Sequence, residues 1–265
     1  MKNLLFLLIG SAALTLSCLA FPLSARDDFV LPVPQNLKPA LTAKTPEDAL
    51  SFFLNIAYRV DGAIDEQGRY TLFAKPDQFF KEPGLNCSGF VLEASRLLLR
   101  KNIPLDFAAR DRLEDSGPGA VLGEDWDFGW DLILNISEGF ERTLLLPGGE
   151  LADPTVGSGL SPLGFDLHAP ETWRELPNRI RQNHLYLVSF SKPVKQHKYS
   201  LMHYHVGLLI RISEKDWYIY HTTNKRGKVS RENLGSEQGL NRFLRSYANT
   251  GNARKHIFII ELPLP

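Results

Sequence analysis

Cysteine is scarce in this chain of 265 residues, which contains only Cys18 and Cys87. Two cysteines are too few for the disulfide scaffold of a small secreted protein. An excess of one charge is also absent, because 30 lysines and arginines balance 30 aspartates and glutamates. The neutral charge disfavours a basic surface for nucleic acid, so no nucleic-acid partner is expected.

Several common catalytic motifs are missing as well. The chain contains no Gly-x-Ser-x-Gly, no phosphate-binding glycine loop, no His-Glu-x-x-His and no Cys-x-x-Cys. These absences remove the usual serine-hydrolase, nucleotide and zinc motifs, and no cofactor is expected. What remains is 43% hydrophobic and 23% charged, which is the composition of an ordinary globular protein.

The first 25 residues have the pattern of a secretory signal peptide. Lys2 precedes the apolar run Leu4–Ile9, and no acidic residue occurs in this segment. The run is short for a membrane-spanning helix. Cleavage after Ala20 or Ala25 would remove Cys18, and the protein is expected in the periplasm or cell envelope.

A second interpretation makes Cys18 the lipidated first residue of an exported lipoprotein. Residues 14–17 approximate a lipobox, although the leucine is displaced by one position. Membrane attachment through the lipidated Cys18 would follow. Under both schemes Cys87 is the one thiol of the folded domain, which makes it a candidate nucleophile in an oxidising compartment.

Three segments follow the predicted signal. Residues 26–44 contain three prolines and no hydrophobic period, which predicts an extended linker or an arm lying on the domain. Residues 45–265 are expected to form a single domain. Its glycine- and proline-rich part at about 102–183 is predicted to be an elaborating insertion. The elements predicted there are strands at Asp131–Ile136 and Arg142–Leu146 and a helix near Pro170–Arg181.

Capping signals and apolar spacing predict the remaining helices and strands. Thr45 and Pro46 open a helix whose apolar stripe continues to Val60, and Asn86 caps a second helix ending near Arg100. The order of elements indicates an α+β fold with helices packed on an antiparallel sheet. The C-terminal third predicts strands at Leu185–Phe190, His203–Ile210, Trp217–His221 and His256–Leu262, with a helix at Ser236–Tyr247.

Cys87 lies in the first turn of the helix that Asn86 caps. The helix dipole and the free amides of this turn favour the thiolate, so a lowered thiol pKa is expected. The small neighbours Ser88 and Gly89 allow close approach of a substrate and leave amide donors for an oxyanion.

Histidines on two successive predicted strands supply candidate bases. Because side chains alternate along a strand, His203 and His205 are expected on one face. On the next strand, His221 is placed to contact an imidazole of the preceding strand and to orient it. His203 is the rival of His205 as base, and Asn224 is the rival of His221 as orienting residue.

These residues also resemble a known family. Asn86–Val91, with the sequence Asn-Cys-Ser-Gly-Phe-Val, looks like the nucleophile motif of the NlpC-type cell-wall cysteine peptidases, usually Asp-Cys-Ser-Gly. His205–Gly207 resembles their base motif, and Tyr218–His221 is similar to the segment that supplies their third polar residue. The resemblance covers roughly Tyr70–Leu98 and Leu185–Thr223.

The resemblance implies a papain-like fold and a hydrolase that cuts amide bonds in peptidoglycan peptides. It implies Cys87 as nucleophile, His205 as base and His221 as orienting residue. The scissile bond would join D-glutamate to diaminopimelate or the muramoyl group to L-alanine. Two departures are Asn86 in place of aspartate and the lack of an upstream Gly-Gly pair. Tyr70 is the nearest candidate for the family's upstream tyrosine.

Other residues are candidates for binding the substrate. Trp126 and Trp130 are placed to line a groove, and Ser88 and His203 lie beside the predicted catalytic residues. An acidic group surrounds the tryptophans, but its spacing fits no EF-hand, so no metal site is expected. The acidic residues are Glu124, Asp125, Asp127 and Asp131.

Two other functions stay open at this point. The same three residues could serve an acyltransferase or thioesterase that acts on lipids. Alternatively, the domain could bind the cell wall without catalysis, in which case Cys87 would be an ordinary buried thiol.

Overall fold

The computed structural model describes residues 30–114, 125–161, 163–194, 201–249 and 253–265. The predicted signal peptide with Cys18, and also Glu124, lie outside the described residues. Among the described residues, no helix has both the length and the apolar character needed to cross a membrane. The segment Leu31–Pro265 forms one unit.

The described residues contain helices α1 (Pro46–Ser51), α2 (Cys87–Leu98), α3 (Leu105–Ala108), α4 (Phe128–Ile136), α5 (Pro170–Arg179) and α6 (Glu237–Ser246). Short 3₁₀ helices lie at Gln35–Thr42 and Pro154–Val156. The strands are β1 (Ala57–Tyr58), β2 (Gly62–Ile64), β3 (Tyr70–Leu72), β4 (Gly84–Leu85), β5 (Thr143–Leu146), β6 (Gly149–Leu151), β7 (Phe165–Asp166), β8 (His184–Pro193), β9 (Leu201–Arg211), β10 (Trp217–Thr223), β11 (Lys228–Asn233) and β12 (His256–Pro263).

One large sheet contains ten of these described strands, in the order β4-β1-β11-β10-β9-β8-β12-β5-β6, with β7 also paired to β12. The pairings are antiparallel except for β1 with β4, and β2 and β3 form a separate hairpin. The central strands β8, β9 and β12 are buried along most of their length. Burial on both faces explains why their sequences are runs of apolar residues.

Two hydrophobic clusters lie on opposite faces of this sheet. Successive residues such as Leu187 and Val188, or Leu208 and Leu209, belong to different clusters. Residues of α1 to α4 pack in the first cluster, whereas residues of α5 and α6 pack in the second. The arrangement is a mixed α+β fold with helices on an antiparallel sheet, which confirms the coarse prediction.

The first helix is shorter than predicted. The N–H of Asp48 donates to Thr45 Oγ1 at 3.1 Å, so Thr45 caps the start as expected. The helix ends at Ser51 rather than near Val60. Asn55 has a φ of 73°, a left-handed conformation that a right-handed helix cannot contain.

The proline-rich segment before α1 contacts the domain. Its residues Gln35–Thr42 form a 3₁₀ helix, and Leu37 and Ala40 of this helix are buried. The described part of the predicted linker is therefore an arm packed on the domain and not an extended tether.

The strand predicted at Asp131–Ile136 is wrong. These residues belong to α4, in which every residue after Phe128 is buried. A helix that is buried on all sides has no solvent-facing polar side, so periodicity cannot distinguish it from a buried strand. The predicted strand at Arg142–Leu146 and the helix near Pro170 are confirmed as β5 and α5. Because α4 and β5 belong to the core, the segment 102–183 is more than a surface addition.

Candidate active site

Cys87 is the first residue of α2, as the capping pattern predicts. Asn86 Oδ1 accepts a hydrogen bond of 2.7 Å from the Gly89 N–H, which caps the helix. The Asn86 N–H donates in turn to Gly62 O at 2.9 Å. A Cβ atom on Gly89 would lie only 2.1 Å from Gly62 O, so a glycine is required at this close approach. These contacts hold the N-terminus of α2 against β2.

A β-bulge separates the two candidate bases. In β8, Phe190 is opposite His205 and Ser191 is opposite His203, which leaves Tyr204 as the extra residue on β9. The ring of His203 packs against Trp130, whereas the ring of His205 packs against Phe190 of the second cluster. The prediction that both histidines share one face is therefore wrong.

His205 and His221 form the imidazole pair that the strand period predicts. His205 Nε2 lies 3.2 Å from His221 Nδ1, and the two rings belong to adjacent strands. The hydroxyl of Tyr247 lies 2.6 Å from the same His221 Nδ1. His221 Nε2 is buried without a hydrogen-bond partner in the described structure. Asn224, the rival orienting residue, lies in the turn after β10, where its carbonyl oxygen accepts from the Gly227 N–H.

Cys87 and His205 line the same cavity, which encloses about 310 Å³. The backbone of Val206, the residue after His205, lies close enough to the Cys87 thiol to lower its pKa. The side chain in contact with the sulfur is that of Ser88, whose Oγ lies 4.0 Å from Cys87 Sγ. Among the described residues, no hydrogen bond joins Cys87 Sγ directly to an imidazole. The full set of lining residues is Tyr58, Val60, Asp61, Asn86, Cys87, Ser88, Asp125, Phe128, Gly129, Met202, His203, Tyr204, His205 and Val206.

Burial determines the protonation states in this cavity. It raises the pKa of the Cys87 thiol, although the Val206 amide, the Ser88 hydroxyl and the first-turn amides of α2 lower it. Burial lowers the pKa of His205 to about 3. Burial, His205 and Arg226 together lower the pKa of His221 well below its usual value. The resting site thus holds a neutral thiol and neutral imidazoles, not the lowered thiol pKa expected from the helix dipole.

His203 lines the cavity, but hydrogen bonds occupy both of its ring nitrogens. Its Nε2 donates to Gly159 O at 2.9 Å, because a carbonyl oxygen can only accept. Its Nδ1 therefore accepts from Ser189 Oγ at 2.9 Å. Burial lowers the pKa of His203 to about 4, although the hydrogen bond to the Gly159 carbonyl acts to raise it. A ring fixed in this way holds structure together and has no lone pair for the thiol proton.

Three residues predicted to bind substrate lie away from the cavity. Tyr70 is buried, stacks on Phe80 and exchanges hydrogen bonds with Asn36. Trp126 and Trp130 are also buried and pack against the ring of His203 instead of lining a groove. Large aromatic side chains are mostly buried in folded proteins, which accounts for these positions.

Tyr58 and Tyr247 are site residues that the sequence analysis missed. Tyr58 lines the cavity, and burial raises the pKa of its hydroxyl, with a smaller contribution from the Cys87 thiolate. It lies on the two-residue strand β1, which pairs in parallel with β4 just before Cys87. Tyr247 is the last residue of the predicted helix Ser236–Tyr247 and follows the observed α6 as its C-cap. Neither a two-residue strand nor a hydroxyl contact across the fold leaves a periodic signal in the sequence.

Only some of the acidic residues around the tryptophans lie close together. Single carboxylate oxygens of Asp111, Asp127 and Asp131 lie within 4.8 Å of one another. The Arg112 N–H donates to Asp131 at 2.5 Å, while burial raises the pKa of Asp131 to about 7. Asp125 is not one of these three, but its Oδ1 accepts the Asp127 N–H at 3.2 Å, and the residue lines the cavity. A cluster of carboxylates alone does not define a metal site.

Comparisons of this chain with models of protein families, with curated proteins and with solved structures found no match. The class of this protein is therefore described from its own fold and site. This is a mixed α+β protein whose cavity is lined by a helix-N-terminal cysteine and by His205, a histidine that lies within hydrogen-bond distance of His221.

Proposed function

We propose that this protein is an exported cysteine hydrolase that cleaves an amide bond in peptidoglycan peptides. The observation that supports it best is that Cys87, at the start of α2, shares a cavity with His205, whose Nε2 faces His221. Two elements distant in sequence thus place a thiol and an imidazole on one cavity, which is what a nucleophile and its base require. The finer fold assignment, a papain-like domain of the NlpC type, is part of the same proposal.

The proposed chemistry requires one tautomer of His205. With its proton on Nε2, His205 donates to His221 Nδ1, whose single lone pair it shares with the Tyr247 hydroxyl, and His205 keeps its own Nδ1 lone pair for the thiol. Cys87 Sγ attacks the amide carbonyl while its proton moves to His205 Nδ1. The first-turn amides of α2 stabilise the oxyanion.

The remaining steps release both products. The C–N bond breaks, and His205 returns the proton to the leaving amine, which leaves a thioester on Cys87. Water attacks this thioester, with His205 taking its proton and restoring it to the thiol. No cofactor takes part in this scheme.

The neutral resting state fits this general-base scheme. Because burial raises the pKa of Cys87 and lowers that of His205, the proton stays on sulfur until a substrate enters. An oxyanion bound at the N-terminus of α2 would then supply the charge that stabilises an imidazolium.

The test uses purified muropeptides, the mature protein and the variant Cys87→Ala, with products identified by mass spectrometry. We expect a new amine and a new carboxylate from the mature protein and no turnover by the variant. Iodoacetamide should inactivate the protein with a stoichiometry of one, because Cys87 is the only cysteine after Cys18.

Equal product from both proteins would contradict the assignment of Cys87. Turnover restricted to lipid esters or thioesters would leave the chemistry in place and refute the peptidoglycan substrate.

A further inference from the structure

Tyr247, the C-cap residue of α6, is held at both of its ends. Its hydroxyl lies 2.6 Å from His221 Nδ1, and its ring stacks on Phe190 with the centroids 4.8 Å apart. Its backbone carbonyl accepts two hydrogen bonds, from His168 Nε2 at 3.0 Å and from Lys255 Nζ at 3.0 Å. The residue that contacts the orienting histidine is therefore anchored by side chains from two other parts of the chain.

The sheet brings these two anchoring side chains together. β7 pairs with the first residues of β12, His168 follows β7 by two residues, and Lys255 directly precedes β12. The Leu167 N–H donates to the Lys255 carbonyl at 2.8 Å, and the His168 N–H donates to Asp166 Oδ1 at 2.9 Å. Both side chains thus start from neighbouring backbone positions and reach the same carbonyl. His168 belongs to the predicted insertion at about 102–183.

The end of α6 needs such partners. The last carbonyl groups of a helix have no partner within the helix, and basic side chains are favourable at this negative end of its dipole. Lys255 Nζ also donates to the Ala248 carbonyl at 2.5 Å. Because a carbonyl oxygen can only accept, His168 carries a proton on Nε2. The two side chains therefore fix the backbone at Tyr247, and the tyrosine hydroxyl then moves only by rotation about two side-chain bonds.

We propose that His168 and Lys255 are positioning residues of the active site, which hold Tyr247 in place and through it the ring of His221. This inference rests on the proposed hydrolase function. A hydroxyl at 2.6 Å restrains the imidazole only while the backbone that carries the hydroxyl stays fixed. His221 in turn orients His205, whose Nε2 lies 3.2 Å from His221 Nδ1.

The first test is steady-state turnover of muropeptides by the mature protein and by two variants of His168. His168→Leu removes the donor, whereas the side-chain amide of His168→Gln can still donate to the carbonyl. We expect His168→Leu to lower kcat by about fivefold, the effect of one hydrogen bond, with KM within about twofold. His168→Gln should keep most of kcat. The control His184→Leu loses the bond from His184 Nδ1 to the Gln182 carbonyl at 2.8 Å, outside the cavity, and should keep full kcat.

Lys255 offers a second variant that removes a donor from the same carbonyl. Lys255→Met should also lower kcat, by about two- to fivefold. Lys101→Met is its control, because Lys101 Nζ donates to the Glu138 carbonyl at 3.0 Å, just beyond α4, in a hydrogen bond that does not involve Tyr247. The control should match the unaltered protein in kcat.

A double variant separates positioning from a general loss of structure. In the Tyr247→Phe background, no hydroxyl remains for the carbonyl contacts to place. His168→Leu should therefore have no further effect on kcat there, whereas a merely structural role would lower kcat by the same factor in both backgrounds. The imidazole signals of His221 in nitrogen NMR, assigned with His221→Gln, give a readout that needs no substrate. They should shift in His168→Leu, return in His168→Gln and stay unchanged when His168→Leu is added to Tyr247→Phe.

The two proposals fail separately. Equal losses of kcat in both backgrounds, an unchanged kcat in both His168→Leu and Lys255→Met, or His221 signals that do not move would overturn the positioning role and leave the hydrolase intact. If the mature protein cleaves no muropeptide, the hydrolase proposal fails. The His221 signals alone then decide whether His168 and Lys255 hold Tyr247 against His221.

Discussion

His203 and His205 are separated by one residue in the sequence, yet their rings have different surroundings. His203 is bonded at both ring nitrogens and packs among aromatic residues of the first cluster. His205 contacts His221 through Nε2, and no other described group bonds to its ring. Hydrogen-bond capacity, and not proximity to the cysteine, therefore distinguishes a base from a structural histidine.

Tyr247 extends this comparison to the far side of His221. Its hydroxyl lies 2.6 Å from His221 Nδ1, and it stacks on Phe190 without lining the cavity. We expect Tyr247 to act as a positioning residue that restricts the ring of His221. Tyr247→Phe should lower kcat by about tenfold, the effect of one lost hydrogen bond of about 1 to 1.5 kcal/mol, and leave KM within about twofold.

The matched control for this prediction is Tyr220→Phe. Tyr220 is also buried, and its hydroxyl accepts from Arg231 at 3.1 Å on a strand next to the site. Both variants lose one phenolic hydrogen bond, but only Tyr247 contacts His221. Steady-state kinetics that show the same kcat for the two variants would contradict a positioning role.

At the scale of the elements, the close approach of α2 to β2 fixes the site. A Cβ atom at position 89 would lie 2.1 Å from Gly62 O and 2.8 Å from the Ala63 Cα. We expect Gly89→Ala to move the N-terminus of α2, to lower the free energy of unfolding by about 1 to 3 kcal/mol and to reduce turnover sharply. Urea unfolding and kinetics on the same preparation measure both effects.

Gly149→Ala is the control, because a Cβ atom there meets no other atom within 4 Å. Its stability and activity should match those of the unaltered protein. If Gly89→Ala retained full activity and stability, the junction between α2 and β2 would not position the nucleophile.

The sequence predicts some elements well for a physical reason. Caps, apolar alternation and helical stripes are local signals, so α2, α5, α6 and the strands β8, β9, β10 and β12 are found at or near their predicted positions. β11 was missed because Lys228–Asn233 is mostly polar and is placed by its partners β10 and β1. The bulge at Tyr204 leaves no local pattern either.

The candidate site also contains residues that local sequence signals predict and residues that only long-range packing brings in. Cys87 at the helix start and the contact of His221 with His205 follow from capping and strand period, and the structure has both. Tyr58 reaches the cavity through the pairing of β1 with β4, and Asp61 does so from the turn between β1 and β2; no period in the sequence encodes either position. Local order therefore predicts the reactive groups, whereas long-range packing selects the groups around them.

For the whole molecule, buried histidines and buried carboxylic acids have opposite effects on how stability depends on pH. Burial lowers the pKa values of His203, His205 and His221 below that of an unfolded histidine, near 6.5. Burial raises those of Glu93 and Asp131 to about 7, above those of unfolded carboxylates. Between about pH 4.5 and 6.5 the unfolded chain binds more protons at the histidines, and the folded chain binds more at the acids.

The histidines therefore make folding less favourable as the pH falls through this window, whereas the two acids make it more favourable. We expect the free energy of unfolding to fall on acidification between about pH 6.5 and 4.5 by no more than about 1.4 kcal/mol per pH unit, because the two acids offset two of the three histidines. Single variants should reveal each contribution. Asp131→Asn removes a carboxyl group that takes up a proton in the folded state. The free energy of unfolding should therefore fall more steeply on acidification, by up to about 1.4 kcal/mol per pH unit.

His203→Gln should have the opposite effect. It removes a group that must stay neutral in the folded state, so the free energy of unfolding should rise, or fall less, as the pH is lowered. Urea unfolding of the unaltered protein and the two variants at pH 4.5, 5.5 and 6.5 measures how the free energy of unfolding changes with pH. The difference in this slope between two proteins does not depend on any constant loss of packing. Parallel pH profiles for Asp131→Asn and His203→Gln would show that the two groups do not titrate in opposite senses on unfolding.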